Sequence, residues 1–308
     1  MSHIQYGIEQ FGLLRDVMVH RPDMSLPQIT EDNKEFFLFD AVPDVDTYLE
    51  EHDRYCALLR EHGVTVQYLA DHVSRNRDLL NRLPNLAYMH DTAVISSHGA
   101  ILSKMALMGR CHEEIVVREA LAKLGIPILY EPCEGDIFEA CLLLSPKTVF
   151  VADTVRHNRK SIERFITYIL QYFDEVIYAR IPQEKRFLHA DMVLGRVTDR
   201  LMLYYPPAFL QTFHITKEGR GEIDLKLWMK DRRVDLIPLS DGEQQRYGCS
   251  FVPLVPGSFF CYDISYDPKT QTLLEREGVR LIPFHPKALL AGGGSLRCLT
   301  MRLYRSGS

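Results

Sequence analysis

The sequence predicts an α/β fold made of repeated units, each with two strands, one helix and one further strand. Aliphatic segments of strand type alternate with amphipathic helical segments over the whole length of 308 residues. No linker, low-complexity block or shift in composition divides them. A single unit has too little core to be stable alone, so we expect several units to pack around a common axis in one domain covering residues 1–308.

The first predicted unit shows the pattern clearly. Residues 12–21, GLLRDVMVHR, are typical of a strand, and residues 44–62 carry apolar side chains at helical spacing. Asp44 or Asp46 is the expected N-cap of this helix, and Gly63 follows its end. The sequence GVTVQYLA then predicts a second strand.

The same order of elements recurs along the chain. Each later helix is flanked by strand segments, and Gly125 closes the best-defined of these helices. The further predicted elements are a strand pair over 92–103, a helix over 113–124 and the strand IPILYE; a hairpin over 142–152, a helix over 158–172 and the strand EVIYARI; a strand pair over 193–205; and a helix over 271–278 before the strand VRLIPF.

The composition excludes several classes of partner. Hydrophobic residues make up 46% and charged residues 25% of the chain, as in globular proteins with a large core. The net charge is -5 and no run of Lys and Arg is long enough to follow phosphates, which argues against nucleic acid. No segment approaches about 18 uninterrupted apolar residues, and the first residues lack a signal pattern. We therefore expect no membrane partner and a cytoplasmic location.

The cysteines do not indicate a metal site or a disulfide framework. There are seven, they are widely spread, and none forms a CxxC pair. Cys298 stands apart, because it follows three consecutive glycines in AGGGSLRCLTM and precedes a segment with the apolar alternation of a strand. Consecutive glycines indicate positive φ angles or a close backbone approach. By itself Cys298 would be interpreted as a buried structural thiol, unless other chemical groups accompany it.

Polar residues that could accompany it lie where strand ends are predicted. In a strand, residues i and i+2 point to the same face, so a His-x-Asp sequence would direct both side chains into one pocket. An isolated pair of this kind is more often a surface ion pair. The candidates are Asn85 and Asp91 in PNLAYMHDTAVI, Arg110 and Arg156 before helices, Glu134, Asp136 and Glu139 in CEGDIFE, and His189 and Asp191 in FLHADMV.

Together these residue types describe one chemistry. A thiolate is a strong nucleophile, a histidine can move protons, and two carboxylates can hold a planar cation through paired hydrogen bonds. The electrophile that fits a thiolate and two carboxylates is a guanidinium carbon. Two arginines and an asparagine could then bind a substrate carboxylate, such as that of free arginine.

Four segments resemble the guanidino-group-modifying (amidinotransferase) superfamily, and within it arginine deiminase. GGGSLRCLTMRL is similar to the family's Gly-Gly-Gly-x-x-Arg-Cys-Met-Ser/Thr-x-Pro-Leu segment, and LHADMV is similar to its His-Leu-Asp. LPNLAYMHDTAVI resembles the family's Pro-Asn-x-x-Phe-Thr-Arg-Asp, and FFLFDAVPDVDTYLEEHDRYCALLREHGVTVQYL resembles its Leu-Phe-Asp-Asp-Ile-Pro stretch and following helix. The resemblance runs from about Gly12 to Leu303. It implies a fivefold pseudosymmetric α/β propeller (pentein) of ββαβ modules.

The resemblance implies a role for each candidate. Cys298 would be the nucleophile, His189 the general acid and base, and Asp91 and Asp191 the carboxylates that hold the guanidinium. Glu134 or Asp136 would support the histidine, with Asp136 also near the substrate and Glu139 as a competitor for the supporting role. The amino-acid end of the substrate would be bound by three residues: Asn85, Arg110 and Arg156.

The chain also departs from the family pattern. The family's Arg before the first Asp is His90 here, and its second Asp in Leu-Phe-Asp-Asp is Ala41. Cys133 takes the place of Glu in the Glu-Gly-Gly-Asp segment, and more residues than expected separate that segment from Arg156. The stretch from Leu69 to Pro84 is short where arginine deiminases insert a helical bundle. We therefore expect a different active-site entrance.

The expected reaction is a covalent hydrolysis of arginine, or of a close derivative, to citrulline and ammonia, without metal or organic cofactor. Three alternatives stay open at this point: an amidinotransferase that passes the amidino group to an amine, an arginine dihydrolase that gives ornithine, CO2 and ammonia, and a non-catalytic arginine sensor on the same fold. The expected partner is a small guanidino substrate, and a homo-oligomer is compatible with the sequence.

Overall fold

The computed structural model describes residues 4–307, which form a mixed α/β structure with five β-sheets. In chain order the strands and helices are β1 (Leu14–Val19), α1 (Val45–Glu61), β2 (Thr65–Tyr68), α2 (Arg77–Leu80), β3 (Ala93–Ser96), β4 (Gly99–Leu102), α3 (Glu113–Leu124), β5 (Ile128–Tyr130), β6 (Leu142–Leu143), β7 (Thr148–Asp153), α4 (Arg159–Ile169), β8 (Glu175–Arg180), β9 (Leu194–Arg196), β10 (Leu201–Tyr204), β11 (Gln211–Ile215), β12 (Arg220–Ile223), α5 (Leu225–Asp231), β13 (Asp235–Pro238), α6 (Asp241–Gln245), β14 (Val252–Val255), β15 (Ser258–Tyr262), α7 (Pro268–Arg276), β16 (Arg280–Phe284) and β17 (Met301–Arg305).

The same ββαβ unit occurs in all five sheets. Two strands pair in antiparallel fashion, a helix follows, and a third strand lies parallel to the second, as in β3, β4, α3 and β5. The units are completed by β6–β7–α4–β8, β9–β10–α5–β13 and β14–β15–α7–β16. The fifth unit joins the two ends of the chain, because β17 is antiparallel to β1 and β1 is parallel to β2. The predicted α/β class and its repeated unit are confirmed.

The elements between β10 and α7 were not predicted from the sequence: the hairpin β11–β12, α5, β13, α6 and the hairpin β14–β15. The strands β11 and β12 are inserted between β10 and α5 and pair with the neighbouring unit, so that its sheet has the order β12-β11-β8-β7-β6. Residues of β12 are largely exposed, which gives that segment little of the apolar alternation that indicates a half-buried strand.

The apolar core consists of five clusters, and each draws its residues from two units. Met18 and Leu303 of the terminal unit pack with Ile95 and Leu102 of the next. Three further clusters join the β3 unit to the β6 unit, the β6 unit to the β9 unit, and the β9 unit to the β14 unit. The last cluster joins the β14 unit back to the terminal unit. Because burying one large apolar side chain is worth about 1.5–3 kcal/mol, these shared clusters stabilise units that could not be stable alone.

Local signals explain where the helices begin and end. The carboxylate of Asp44 accepts the Thr47 N–H at 2.9 Å, which confirms the predicted N-cap of α1. The helix α3 ends at Gly125, whose φ of 77° is a left-handed conformation that glycine adopts without strain. The helix predicted over 271–278 is instead α7, which starts at Pro268. No helix in the described part of the chain is both long and apolar enough to cross a membrane.

Candidate active site

A cavity of about 730 Å³ collects most of the residues that the sequence singled out. Apolar and aromatic side chains, including Leu107, Leu188 and Tyr247, form much of its wall. The predicted site residues that line it are Asn85, Asp91, Arg110, Arg156, His189 and Cys298.

The fold explains why distant residues meet here. In each unit the segment just before the first strand supplies a polar residue: Asp91 before β3, Glu139 before β6, His189 before β9, Ser250 before β14 and Cys298 before β17. Arg110 and Arg156 come from the matching connections between the second strand and the helix of two units.

The three glycines before Cys298 make room for an aromatic ring. A Cβ atom at Gly292 or at Gly294 would collide with the side chain of Tyr88, and Gly293 has a φ of 69°. The hydroxyl of Tyr262 donates to the carbonyl oxygen of Gly294 at 3.0 Å. Gly293 thus has the positive φ that the sequence indicated, whereas the close contacts of the turn are with aromatic side chains. This packing positions the segment that carries Cys298.

Cys298 is buried and attached to the segment of Asp91. The backbone N–H of His90 donates to the carbonyl oxygen of Cys298 at 2.9 Å, which joins the two segments directly. Burial, followed by the carboxylates of Asp191 and Asp91, raises the pKa of the Cys298 thiol above the ordinary value of 9.0. Without a ligand, the thiol is therefore protonated at neutral pH.

A chain of hydrogen bonds leads from this thiol to Asp191. The Sγ atom of Cys298 lies 3.4 Å from Oγ of Ser295, which lies 2.7 Å from Oγ of Ser250. The Ser250 hydroxyl donates to Oδ2 of Asp191 at 2.5 Å. Each hydroxyl can donate to the next acceptor in the chain, so a thiol proton has a continuous path towards the carboxylate.

Asp191 itself does not line the cavity, contrary to the expectation that it faces the substrate beside His189. That expectation assumed a strand, but a 3₁₀ turn covers Ala190–Met192 and β9 begins only at Leu194. His189 at the start of this turn faces the cavity, whereas Asp191 faces Ser250 and lies 3.5 Å from Nε of Arg297.

His189 is held between two carboxylates. Its Nε2 atom lies 2.9 Å from Oε2 of Glu139, and its Nδ1 atom lies 3.5 Å from Oδ1 of Asp91. Burial alone would lower the pKa of His189, but these two carboxylates outweigh it and raise the pKa above 6.5. Burial opposes ionisation of Glu139, yet the His189 hydrogen bond and the charge of Arg156 lower its pKa to about 2. Glu139 is therefore an anion, and it stabilises a protonated His189.

The structure corrects the expected support for the histidine. Glu134 is exposed and Asp136 is buried, but neither lines the cavity. The carboxylate of Asp136 accepts from Arg164 at 2.5 Å and from the backbone N–H of Cys133 at 3.0 Å. Glu134 and Asp136 lie at a turn around Gly135. Glu139 lies four residues after that glycine, in a buried segment. A charged residue within the apolar run IFEACLLL is the signal that favours Glu139.

Arg110 holds Asp91 rather than presenting a free guanidinium to a substrate carboxylate. Its Nη1 donates to Oδ2 of Asp91 at 2.7 Å, and its Nε and Nη2 donate to Glu113 at 3.0 and 2.9 Å. Sequence reasoning did not single out Glu113, although it follows Arg110 by three residues at the start of a predicted helix. Burial, opposed by Arg110, raises the pKa of Glu113 to about 7.

Two buried charged atoms at the cavity lack a hydrogen-bond partner among residues 4–307. They are Oδ1 of Asp91 and Nη1 of Arg156. Opposite charges lie at 3.5 Å in both cases: Oε1 of Glu139 from that nitrogen, and Nδ1 of His189 from Oδ1 of Asp91. Asn85 lines the same cavity, and its Nδ2 donates to the carbonyl oxygen of Phe37 at 2.7 Å. A ligand with a cationic end and an anionic end would satisfy both unpaired atoms.

Two ion pairs include residues that line the cavity. Lys185 lies 2.7 Å from Asp40, and Arg186 lies 2.5 Å from Asp241. The stretch between Leu69 and Pro84 contains only a 3₁₀ turn and the short α2, so no helical bundle stands there. Within the described residues, no three His, Cys, Asp or Glu side chains form a group that could hold a metal ion.

Comparisons with known proteins identify the family of the chain. The family model described as arginine deiminase matches residues 35–78 and 70–305. The arginine deiminase of Clostridium perfringens is 23% identical over 402 aligned positions, which cover 96% of this chain and 97% of the relative. The enzyme of the same name from Mycoplasma capricolum is also 23% identical, with 96% of each chain covered. The two ranges matched by the family model meet at 70–78, inside the stretch that lacks the inserted bundle.

Solved structures share the fold. The N-terminal domain of ArgZ, described as an arginine dihydrolase from cyanobacteria, aligns with a TM-score of 0.71 and 16% identity over 94% of this chain and 97% of that domain. Unliganded AgrE aligns with a TM-score of 0.73 and 18% identity over 94% of this chain and 40% of its own. A dimethylarginine dimethylaminohydrolase gives a TM-score of 0.68 at 16% identity, covering 94% and 100% of the chains. With the family model matching nearly the whole sequence, this chain belongs to the arginine deiminase family.

Proposed function

We propose that this protein hydrolyses the guanidinium group of free arginine to citrulline and ammonia through a covalent intermediate on Cys298. The observation that carries the proposal is the pair of unpaired buried atoms, Oδ1 of Asp91 and Nη1 of Arg156, in the cavity that also contains the thiol and His189. The first fits a guanidinium and the second fits an α-carboxylate.

Substrate binding also prepares the nucleophile. The carboxylate of Asp91 is one of the charges that raise the pKa of the Cys298 thiol, and a guanidinium bound beside it offsets that charge. The thiol proton then moves to Ser295 while the proton of Ser295 moves to Ser250 and that of Ser250 to Asp191. The product of this step is a thiolate next to the guanidinium carbon.

The two halves of the reaction share one histidine. The thiolate forms a bond to the guanidinium carbon, and His189, protonated because of Glu139 and Asp91, gives its proton to the departing amine. Ammonia leaves, and a thiouronium group remains on sulfur. The neutral His189 then takes a proton from water as the water oxygen attacks the same carbon. The C–S bond then breaks, and the new hydroxyl group loses its remaining proton to solvent, where ammonia becomes ammonium. Citrulline is released, and Cys298 recovers its proton from Asp191.

For the overall architecture, we propose a single domain in which the five units form a fivefold pseudosymmetric propeller. Five copies of the ββαβ unit and five apolar clusters that link each unit to the next, including the last to the first, support that arrangement. The polar residues before the first strand of each unit would then surround the axis at one end. Such an arrangement explains how residues from all five units can reach one cavity.

A second candidate is the dihydrolase reaction, in which the ureido product is attacked again to give ornithine, CO2 and ammonia. One observation favours it. The N-terminal domain of ArgZ, described as an arginine dihydrolase, is covered to 97% by this chain. The amidinotransferase reaction requires only that an amine replace water in the second half, and no feature of the cavity favours it.

Product analysis tests these proposals. The purified protein is incubated with L-arginine, with and without an amine acceptor, and the products are identified by mass spectrometry. Citrulline and ammonia in equal amounts support the deiminase, whereas ornithine with two ammonia molecules per arginine identifies the dihydrolase. A transferred amidino group would identify the third reaction. If no guanidino compound is turned over and arginine still binds, the protein is a sensor and the catalytic proposal is wrong.

A further inference from the structure

Four arginines form a second group of charges, separate from the cavity. Arg297, Arg302 and Arg305 are buried, and Arg196 is half-buried. Arg302 and Arg305 lie on β17, Arg196 ends β9, and Arg297 lies between Ser295 and Cys298. We call this group the arginine cluster. None of its members lines the cavity, and the proposed reaction uses none of them.

Three of the four arginines bind backbone carbonyl oxygens. Nη1 of Arg297 donates to Phe251 at 3.1 Å, and the guanidinium of Arg305 donates to Gly12, Pro253 and Leu254. Arg196 donates to the carbonyl oxygens of Leu144 and Glu9 at 2.5 and 3.3 Å. Carbonyl oxygens satisfy N–H groups, but they carry no net charge, so these bonds leave the positive charge of the cluster uncompensated.

Arg302 differs from the other three. Its side chain is buried, with 8% exposed, and its Nε has no hydrogen-bond partner among residues 4–307. The other three arginines of the cluster act on it as repelling charges, and Asp191 is the attracting charge. That carboxylate already accepts the hydroxyl of Ser250 and faces Arg297.

A buried arginine cannot become neutral by losing its proton, because a guanidinium stays charged in proteins. Burying a cation without a partner is far more costly than burying a neutral polar group, so such a group requires a counter-ion. Asp191 attracts Arg297 and Arg302, and Glu9 and Asp199 attract Arg196, so three carboxylates face four guanidinium groups. The cluster is therefore short of negative charge, and Arg302 Nε is a donor without an acceptor.

We propose that the arginine cluster is a binding site for a small inorganic anion, held by Arg302 and neutralising the surrounding guanidinium groups. Chloride and small oxyanions such as nitrate and phosphate share the required chemistry, a compact negative charge that accepts N–H donors. The site is structural rather than catalytic, so it stands or fails independently of the proposed hydrolysis.

Thermal unfolding at constant ionic strength tests the proposal. Sodium gluconate, whose anion is bulky, is replaced stepwise by chloride, nitrate or phosphate, and the Tm is measured. For the wild-type protein we expect a saturable rise of about 3–5 °C with at least one of the small anions, as for a ligand that binds only the folded state. The anion that raises the Tm is the one that binds the arginine cluster.

Two variants sharpen the test. Arg302→Met removes the unpaired guanidinium and should abolish the rise, with a Tm in gluconate at or above that of the wild type. Arg276→Met, at an exposed position on α7, should keep the rise in full. No saturable rise with any of the three anions, or an equal rise in Arg302→Met, would overturn the proposal. Should Arg302→Met fail to fold, bromide soaked into wild-type crystals must give an anomalous peak beside Arg302, and its absence there rejects the site.

Discussion

The two groups of buried charge in this protein are built on opposite principles. At the cavity, Arg110, Arg156 and a protonated His189 alternate with Asp91, Glu113 and Glu139, and most of the contacts join opposite charges. In the arginine cluster, four guanidinium groups lie together and three of them are satisfied by neutral backbone carbonyls. Arg297 lies between the two groups, because its Nε is 3.5 Å from Asp191 and 3.4 Å from Nε2 of His90.

The difference concerns what each group leaves unpaired. The balanced network at the cavity compensates its own charge and leaves one acceptor on Asp91 and one donor on Arg156, the two atoms that suit a zwitterionic substrate. The arginine cluster leaves a donor on Arg302 and an excess of positive charge. Changes at the cavity should therefore alter turnover, whereas changes in the arginine cluster should alter stability and its dependence on anions.

The largest expected effect at the cavity comes from Cys298→Ser. A serine hydroxyl replaces the thiolate nucleophile, so kcat should fall by roughly 10⁴-fold or more, as in other nucleophile deletions. Cys141→Ser, which changes another buried cysteine away from the cavity, should keep its activity. Steady-state citrulline formation measures both.

In His189→Ala, intact-mass spectra of quenched reactions should show an arginine-derived adduct that disappears when Cys298 is also replaced. Wild-type activity in Cys298→Ser, or an adduct on Cys141, would show that the site is misplaced.

Glu139→Gln tests whether the balanced network supports the histidine. Loss of this anion should lower kcat by roughly 10²-fold, within the range of general acid–base effects. The carboxylate of Glu139 helps to raise the pKa of His189, so its removal lowers that pKa. Because the acid form donates the proton, the fall in activity with rising pH should then begin at a lower pH. A pH–rate profile measures this shift.

Glu134→Gln is the matched control, since Glu134 is exposed and does not line the cavity. Its pH–rate profile should coincide with that of the wild type. If Glu134→Gln gave the larger loss and Glu139→Gln behaved as wild type, the assignment of the supporting carboxylate would be reversed.

Arg156→Met removes the donor that we assign to the substrate carboxylate. A charge-assisted hydrogen bond is worth about 1.5–3 kcal/mol, so kcat/KM for arginine should fall roughly 10- to 150-fold, mostly through KM. Agmatine lacks the carboxylate and should be a poor substrate of the wild type, and its kcat/KM should change little in the variant. The exposed Arg159→Met serves as the control. Equal losses for arginine and agmatine would indicate that Arg156 acts through Glu139 instead.

The smallest effect is expected for Ser250→Ala, which interrupts the path from the thiol to Asp191. Activity should fall about 10-fold near neutral pH, and the deficit relative to the wild type should shrink as the pH rises, because a higher pH favours direct loss of the thiol proton to solvent. Ser265→Ala is the control, because Ser265 is also buried but donates to the backbone of Arg246. A loss in Ser250→Ala that stays constant with pH would mean that Ser250 only supports the local structure.

The sequence predicted the regular elements well where the signals are local. The helix expected over 113–124 is α3, because an apolar stripe and the closing Gly125 lie within one short segment. The strand expected after Cys298 is β17, which begins three residues later. The segment from β11 to β15 was not predicted. In its first hairpin β12 is largely exposed, and β11 is stabilised by pairing with β8 of another unit. That pairing has no counterpart in the local pattern.

The candidate site shows the same division. Residue types and motifs were enough to select Cys298, His189 and Asp91, which the fold brings to one cavity. The choice of Glu139 over Glu134 required the fold, because the hydrogen bond to His189 joins residues 50 positions apart. The separation of Asp191 from His189 also required it, since the 3₁₀ turn between them gives the two side chains different surroundings.

The amino-acid sequence by itself thus determined the repeated ββαβ unit, the residue types of the chemistry and the segments that carry them, because these depend on periodicity and on motifs within a few residues. Only the tertiary structure decided which charges are paired. Pairing depends on burial and on distance, and both arise when segments from five units meet, as where Arg297 lies beside His90, 207 positions away. For this reason Arg110 became a partner of Asp91, Glu113 entered the network, and Arg302 was left with a buried donor that lacks an acceptor.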